Sequence, residues 1–160
     1  MDDTLFALTL VAALGCGLVA GIFFAFSTAV MTALGRLPAP HGIAAMQSIN
    51  IVVINPLFMG AFFGTALVCV AVAVLSAFEW EEPEVFYRLA GSALYVVGTI
   101  LVTMAFNVPR NDALAAVNPD DADSAGLWRR YVVEWTAWNH VRTAAALAAA
   151  ASLTIAVIEM

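Results

Sequence analysis

The residues with the most chemistry to offer lie in one stretch, LWRRYVVEWTAWNHVRT at positions 127–143. At about 100° per residue in a helix, Trp128, Tyr131, Trp135, Trp138, Asn139 and Arg142 share one face. Glu134 lies at the edge of that face and His140 points away. Indole and phenol rings beside an amide and a guanidinium could hold a flat aromatic molecule: the rings stack while Asn139 and Arg142 take its oxygens. A second group follows the third apolar run, where FNVPRND (106–112) places Asn107, Arg110 and Asn111 around Pro109. Plainer roles exist for several of these. Trp128 and Tyr131 suit a membrane-interface belt, and Arg142 could snorkel to the headgroups. Asn107 could cap a helix end before Pro109. Glu134 could pair with Arg130 four residues back. Yet Arg142 is followed by only 16 apolar or small residues before Glu159. That is short of a full span, so Arg142 is expected about a turn inside the membrane boundary, where an arginine is by default a functional group.

These side chains must be positioned by elements that sit in lipid. The chain has 160 residues, 63% hydrophobic and 11% charged, with a mean hydropathy of +0.93. A water-soluble domain of this length needs far more polar surface. The net charge of −6 argues against nucleic acid as a partner, which requires a basic face. The six basic residues are all arginine, and together with the dense Ala, Gly and Val this suits a high-GC bacterial source. Cys16 and Cys69 sit inside apolar runs without a CxxC and are expected to be packing residues. The acidic start, MDDTLF, lacks the positive region of a signal peptide, so the first apolar run is expected to stay as a transmembrane helix. Two histidines, His41 and His140, are too few for a three-ligand metal site unless Glu134 joins them, and there is no HExxH, nucleotide loop or GxSxG; no metal is expected.

A spanning helix needs about 20 mostly apolar residues. Four runs qualify, at about 5–30, 52–78, 85–106 and 132–158. The expected fold is all-α: an integral membrane four-helix bundle, up-down-up-down, forming one domain over residues 1–160, with a short helical lead-in to the second helix from Gly42. Gly17 with Gly21, extended by Ala25 and Ala29, and Gly60 with Gly64 have the spacing of close helix–helix seams, which predicts tight packing.

In that topology the polar residues converge on one end. Ser27 and Thr28 end the first helix. Gln47, Asn50 and Asn55 precede or begin the second. Asn107, Arg110 and Asn111 end the third, and Glu134, Asn139 and Arg142 lie in the first half of the fourth. Polar groups are costly in lipid unless partnered, so one-sided clustering predicts a polar pocket open to one face. Asn50 and Asn55 could equally be glue between helices. Arg36, Arg110, Arg129 and Arg130 lie in or near the first and third connections. By the positive-inside rule that end is cytoplasmic, and both termini are outside the bacterial inner membrane.

The NVPRND turn followed by YVVEWTAWNHVRT resembles the anthrone oxygenase-like family of small four-helix membrane proteins. The resemblance extends over almost the whole chain, through FFAFSTAVM, MQSIN, INPLF, the N-x-P-x-N turn and the W-N-x-x-R helix. It implies an oxygenase that converts an anthrone-type, flat polyketide-like substrate to a quinone with O2 as co-substrate and no bound cofactor. The family's polar signature falls on Gln47, Asn50, Asn55, Asn107, Asn111, Trp138, Asn139 and Arg142. For such chemistry, Arg142 with Asn107 and Asn139 would stabilise an enolate oxygen, and Trp135 and Trp138 would stack on the rings. Glu134 would be the base, with His41 the second candidate. Gln47, Asn50, Asn55, Arg110 and Asn111 would bind substrate.

The competing expectation is a non-catalytic module, either a quinone or lipid binder or a structural membrane subunit. An enzyme needs a ligand-sized cavity containing Arg142 and Asn107, with a base. A binder needs the cavity without the base. A structural subunit has its amides paired and no cavity. The expected partners are the lipid bilayer and an apolar aromatic small molecule; a homo-oligomer is left open.

Overall fold

The computed structural model describes residues 3–121 and 123–160. Five helices account for the fold: α1 (Asp3–Gly35), α2 (Ala39–Val52), α3 (Pro56–Ser76), α4 (Val85–Ala115) and α5 (Ser124–Glu159). No strand occurs among the described residues. Four of the helices, α1, α3, α4 and α5, are long and apolar enough to cross a membrane, which marks an integral membrane protein. Their outward faces carry Leu14, Leu57, Leu67, Phe86 and Val133, all well exposed. That is the expected pattern when lipid is the solvent.

Helix boundaries follow local chemistry. Pro38 and Pro40 separate α1 from α2, because proline suits a first turn and breaks an interior. Asn55 makes the break between α2 and α3. Its Oδ1 accepts from the Leu57 and Phe58 N–H groups at 3.1 and 3.0 Å, and its Nδ2 donates to the Val52 carbonyl at 3.0 Å. One side chain thus satisfies orphan groups of both helices, a capping role that contributes about 1 kcal/mol. The apolar run expected at 52–78 is accordingly a helix over Pro56–Ser76.

The third helix does not stop at Phe106. It runs on to Ala115 through two π-helical segments, Val96–Leu101 and Thr103–Asn107. In the second of these the Val108 N–H reaches back five residues to the Thr103 carbonyl. This wider turn ends beside Pro109, which has no N–H to give. Arg110 Nη1 donates to the Phe106 carbonyl at 2.7 Å, so a side chain supplies a donor beside the proline. Helix α1 carries a similar turn at Phe26–Val30.

Helix α5 is the hub, packing against α1, α2 and α4. At 36 residues it is about 54 Å long, well beyond the bilayer's hydrocarbon thickness of about 30 Å. Two buried clusters line the bundle. One contains Leu5, Cys16, Phe62, Cys69, Tyr95 and Leu153. The other, toward the α2 end, contains Met31, Ile43, Met46, Leu114, Trp128 and Tyr131.

The expected glycine seams are not where the helices meet. A Cβ added at Gly17, Gly21, Gly60 or Gly64 would have nothing within 4 Å. The close approaches lie elsewhere. At Gly98 a Cβ would come within 2.4 Å of the Ala145 Cβ, and at Gly42 within 2.7 Å of the Trp128 ring. Spacing reveals that a helix has a small-residue stripe, but not which way it faces.

Candidate functional site

The site forms where the two buried clusters meet. Asn139 is fully buried on α5. Its Nδ2 donates to Ser27 Oγ at 2.6 Å and to the Phe23 carbonyl at 2.7 Å. Ser27 lies in the π-helical turn of α1 and Phe23 just before it, where an altered backbone register leaves room for an inserted side chain. The Asn139 Oδ1 accepts from Arg142 Nη2. Arg142 Nη1 donates to Thr103 Oγ1 at 3.1 Å, and Thr103 donates to the Thr99 carbonyl at 2.7 Å. The guanidinium carbon stands 4.2 Å from the Phe23 ring centroid and 5.1 Å from that of Trp135, in cation–π range.

Arg142 is 4% exposed. Its partners are one amide, one hydroxyl and two ring faces, and no carboxylate pairs with it among the described residues. Its Nε has no partner. Burying a charge without an opposite charge is expensive. It lines a cavity of about 280 Å³ with aromatic walls, among them Phe23, Phe26, Phe58, Phe62 and Trp135. That volume is near the lower end of small-molecule sites, roughly 300–1,000 Å³.

Polar groups also stand at the mouth. Asn111 Oδ1 accepts from Tyr131 Oη at 2.8 Å and from Trp135 Nε1 at 2.9 Å. These bonds lock the amide and fix the indole that walls the cavity. Asn50, Ile54, Val108 and Asn111 line both this cavity and an outer cleft that also includes Gln47 and Asp112. The two spaces therefore adjoin, with these four side chains between them. Trp128, Tyr131 and Trp135 form a buried column, with successive centroids 5.7 and 6.3 Å apart. Trp128 and Tyr131 are thus core residues here and not an exposed interfacial belt.

The expected site residues divide into three groups. Arg142, Trp135, Asn111 and Asn50 line the cavity. Asn107 and Asn139 are buried just behind it, where Asn107 Nδ2 donates to the Trp135 carbonyl at 3.3 Å. The rest lie elsewhere. Glu134 is half-exposed and paired with Arg110, at 2.9 Å to Nη2 and 3.0 Å to Nε. Its partner is thus an arginine from another helix and not Arg130. Trp138 stacks on Phe106, centroids 3.5 Å apart. Gln47 Nε2 donates to the Leu114 and Val117 carbonyls at 2.9 and 3.0 Å and ties α2 to the end of α4. Asn55 is the cap described above, and His41 is exposed at the start of α2.

Sequence reasoning missed Thr103 and the phenylalanine walls. Thr103 lies one turn before Asn107 on α4, so helical spacing from Asn107 points to it. Phe58 and Phe62 share the same four-residue relation on α3, and their rings stack at 5.8 Å.

Fold and site together define a helical integral membrane protein with a half-open aromatic cavity and a buried cation on its wall. Comparison with protein families makes this specific: the anthrone oxygenase family model matches residues 58–152, and the chain belongs to that family. Neither curated proteins nor solved structures gave a match.

Proposed function

We propose that the protein is a membrane-embedded oxygenase acting on a flat, anthrone-type aromatic ketone with O2 and no bound cofactor. The four spanning helices would alternate in direction, with α2 as a short lead-in to the second of them. Both termini would lie outside a bacterial inner membrane and the cavity toward the cytoplasmic end. Family membership supports the chemistry, and the distribution of arginines supports the orientation. The observation that carries the reading is the cavity itself, in which aromatic walls enclose one buried guanidinium with two amides at the mouth.

In this reading the rings of the substrate lie among Phe58, Phe62 and Trp135, and its oxygen points at Arg142. Donors already oriented toward developing negative charge need no rearrangement during reaction. Oxidation of the ring CH2 to C=O by one O2 leaves one oxygen atom in the new carbonyl and the other in water with the two hydrogens. The test is oxygen consumption and quinone formation by the reconstituted protein with anthrone, above a protein-free control. A rate equal to the control would defeat the reading.

A second reading, a non-catalytic quinone binder, has its own observation. No Asp, Glu or His is among the described residues lining the cavity, so the site lacks an evident base. Binding of anthraquinone without any turnover of anthrone would favour it.

A further inference from the structure

We infer that the cavity takes its aromatic ligand as an oxyanion with Arg142 as counter-ion, so that substrates are selected by how readily they ionise and not by a protein base. This rests on the reading of the cavity as an aromatic-ketone site and names the charge state that site accepts.

Three observations converge on it. First, Arg142 is deeply buried, with no carboxylate partner and one N–H unpartnered. Its cation–π and neutral contacts offset only part of the desolvation cost of the charge. A ligand that brings a negative charge completes the pair; a neutral ligand leaves the cation buried and uncompensated. Second, the lining offers no proton acceptor with a carboxylate or imidazole. Glu134 is held by Arg110 at the half-exposed surface, and His41 is exposed elsewhere on α2. Third, the cavity adjoins an outer cleft across two amides and two aliphatic side chains, and the nearest carboxylate, Asp112, lines that cleft and not the cavity, so a proton released by the ligand has water close by.

The step balances simply. An enolisable C–H or a phenolic O–H gives its proton to water in the cleft. The electron pair of that bond stays on the ligand, delocalised onto the oxygen that meets Arg142. For a flat ketone this also raises electron density on the ring carbon that oxygen must reach. The substrate class is therefore aromatic ketones and phenols that are acidic enough to ionise near the membrane surface.

The experiment compares two ligands that cannot be turned over and differ in charge and by one methyl group. They are 2-hydroxyanthraquinone, in buffer alkaline enough to make it a phenolate, and its methyl ether, 2-methoxyanthraquinone. Both are titrated in that same buffer into the detergent-purified full chain, with quenching of tryptophan fluorescence as the readout. The phenolate is expected to bind at least about tenfold more tightly, a ratio equivalent to about 1.4 kcal/mol. The preference should disappear in Arg142→Gln and persist in Arg142→Lys. Equal binding of both ligands by the wild type would overturn the oxyanion inference while leaving an aromatic site in place. Failure of both to bind would overturn the underlying site as well. A preference that survives in Arg142→Gln would show that another group supplies the charge, and would also overturn the inference.

Discussion

The protein buries two arginines, and they are treated in opposite ways. Arg88 on α4 is fully buried at the end of the bundle away from the cavity. Its Nη1 is 3.1 Å from Glu79 Oε2 and its Nη2 is 3.9 Å from Glu84 Oε1. Both carboxylates come from the chain just before α4, so the pair ties that connection to the bundle. Arg142 on α5 is as deeply placed, but it donates to one hydroxyl and one amide and lies over ring faces, and its cavity holds no carboxylate, whereas Glu79 and Glu84 line the cleft beside Arg88. A cation neutralised by the chain itself completes a structure. A cation left without its opposite beside a cavity leaves that place to a ligand.

The largest contrast should appear on removing each arginine. Arg88→Ala leaves Glu84 facing a buried gap and releases the partly exposed Glu79. Breaking such a pair costs about 3–5 kcal/mol, so thermal unfolding in detergent should shift sharply downward. Arg142→Met should do the reverse, with an unfolding temperature unchanged or higher, because an unpaired buried charge is replaced by an apolar chain of similar length. The same variant should lose about 100- to 1,000-fold in anthrone turnover, as expected when a donor to a developing oxyanion is removed. A large loss of stability in Arg142→Met would place both arginines in the same structural class.

Asn111→Ala is expected to have an intermediate effect. It leaves the Tyr131 hydroxyl and the Trp135 indole N–H without their shared acceptor, at a cost of about 1–3 kcal/mol. It also frees the indole that walls the cavity, so both stability and ligand affinity should fall. Fluorescence titration beside thermal melting checks this. Loss of stability with unchanged affinity would confine Asn111 to the structural side of the comparison.

Glu134→Gln is expected to have the smallest effect. Its pair with Arg110 is half-exposed, and such pairs contribute about 0–1 kcal/mol. Turnover should stay within about twofold of wild type, well under 1 kcal/mol. A loss of a hundredfold would make Glu134 the base and would undo the separation of binding from proton removal.

Much of this was legible in the sequence where one helix carried the information. The stripe on positions 127–143 could be placed because 3.6-residue periodicity acts within a single element, and Trp135, Asn139 and Arg142 do share a buried face. What one helix could not show depended on other elements. Glu134 belongs to an ion pair because Arg110 arrives from α4, a partner 24 residues away. Trp138 turns to Phe106 for the same reason. Pro109 suggested a helix end, but a π-helical turn and the Arg110 side chain carry the helix past it. Asn55 and Gln47 looked like ligand groups, yet they satisfy backbone at a helix break and at a helix end. Amides serve either use with the same side chain, and only the neighbours decide between them.

The measurement that bears most directly on the unpaired arginine is native mass spectrometry of the detergent-released protein with 2-hydroxyanthraquinone. Wild type, Arg88→Lys and Arg142→Met would be compared side by side. One ligand per chain is predicted on the wild type and on Arg88→Lys, with none retained by an Arg142→Met chain that stays folded. Equal occupancy on the wild type and Arg142→Met would contradict the account, because the cation would then have no part in holding the ligand.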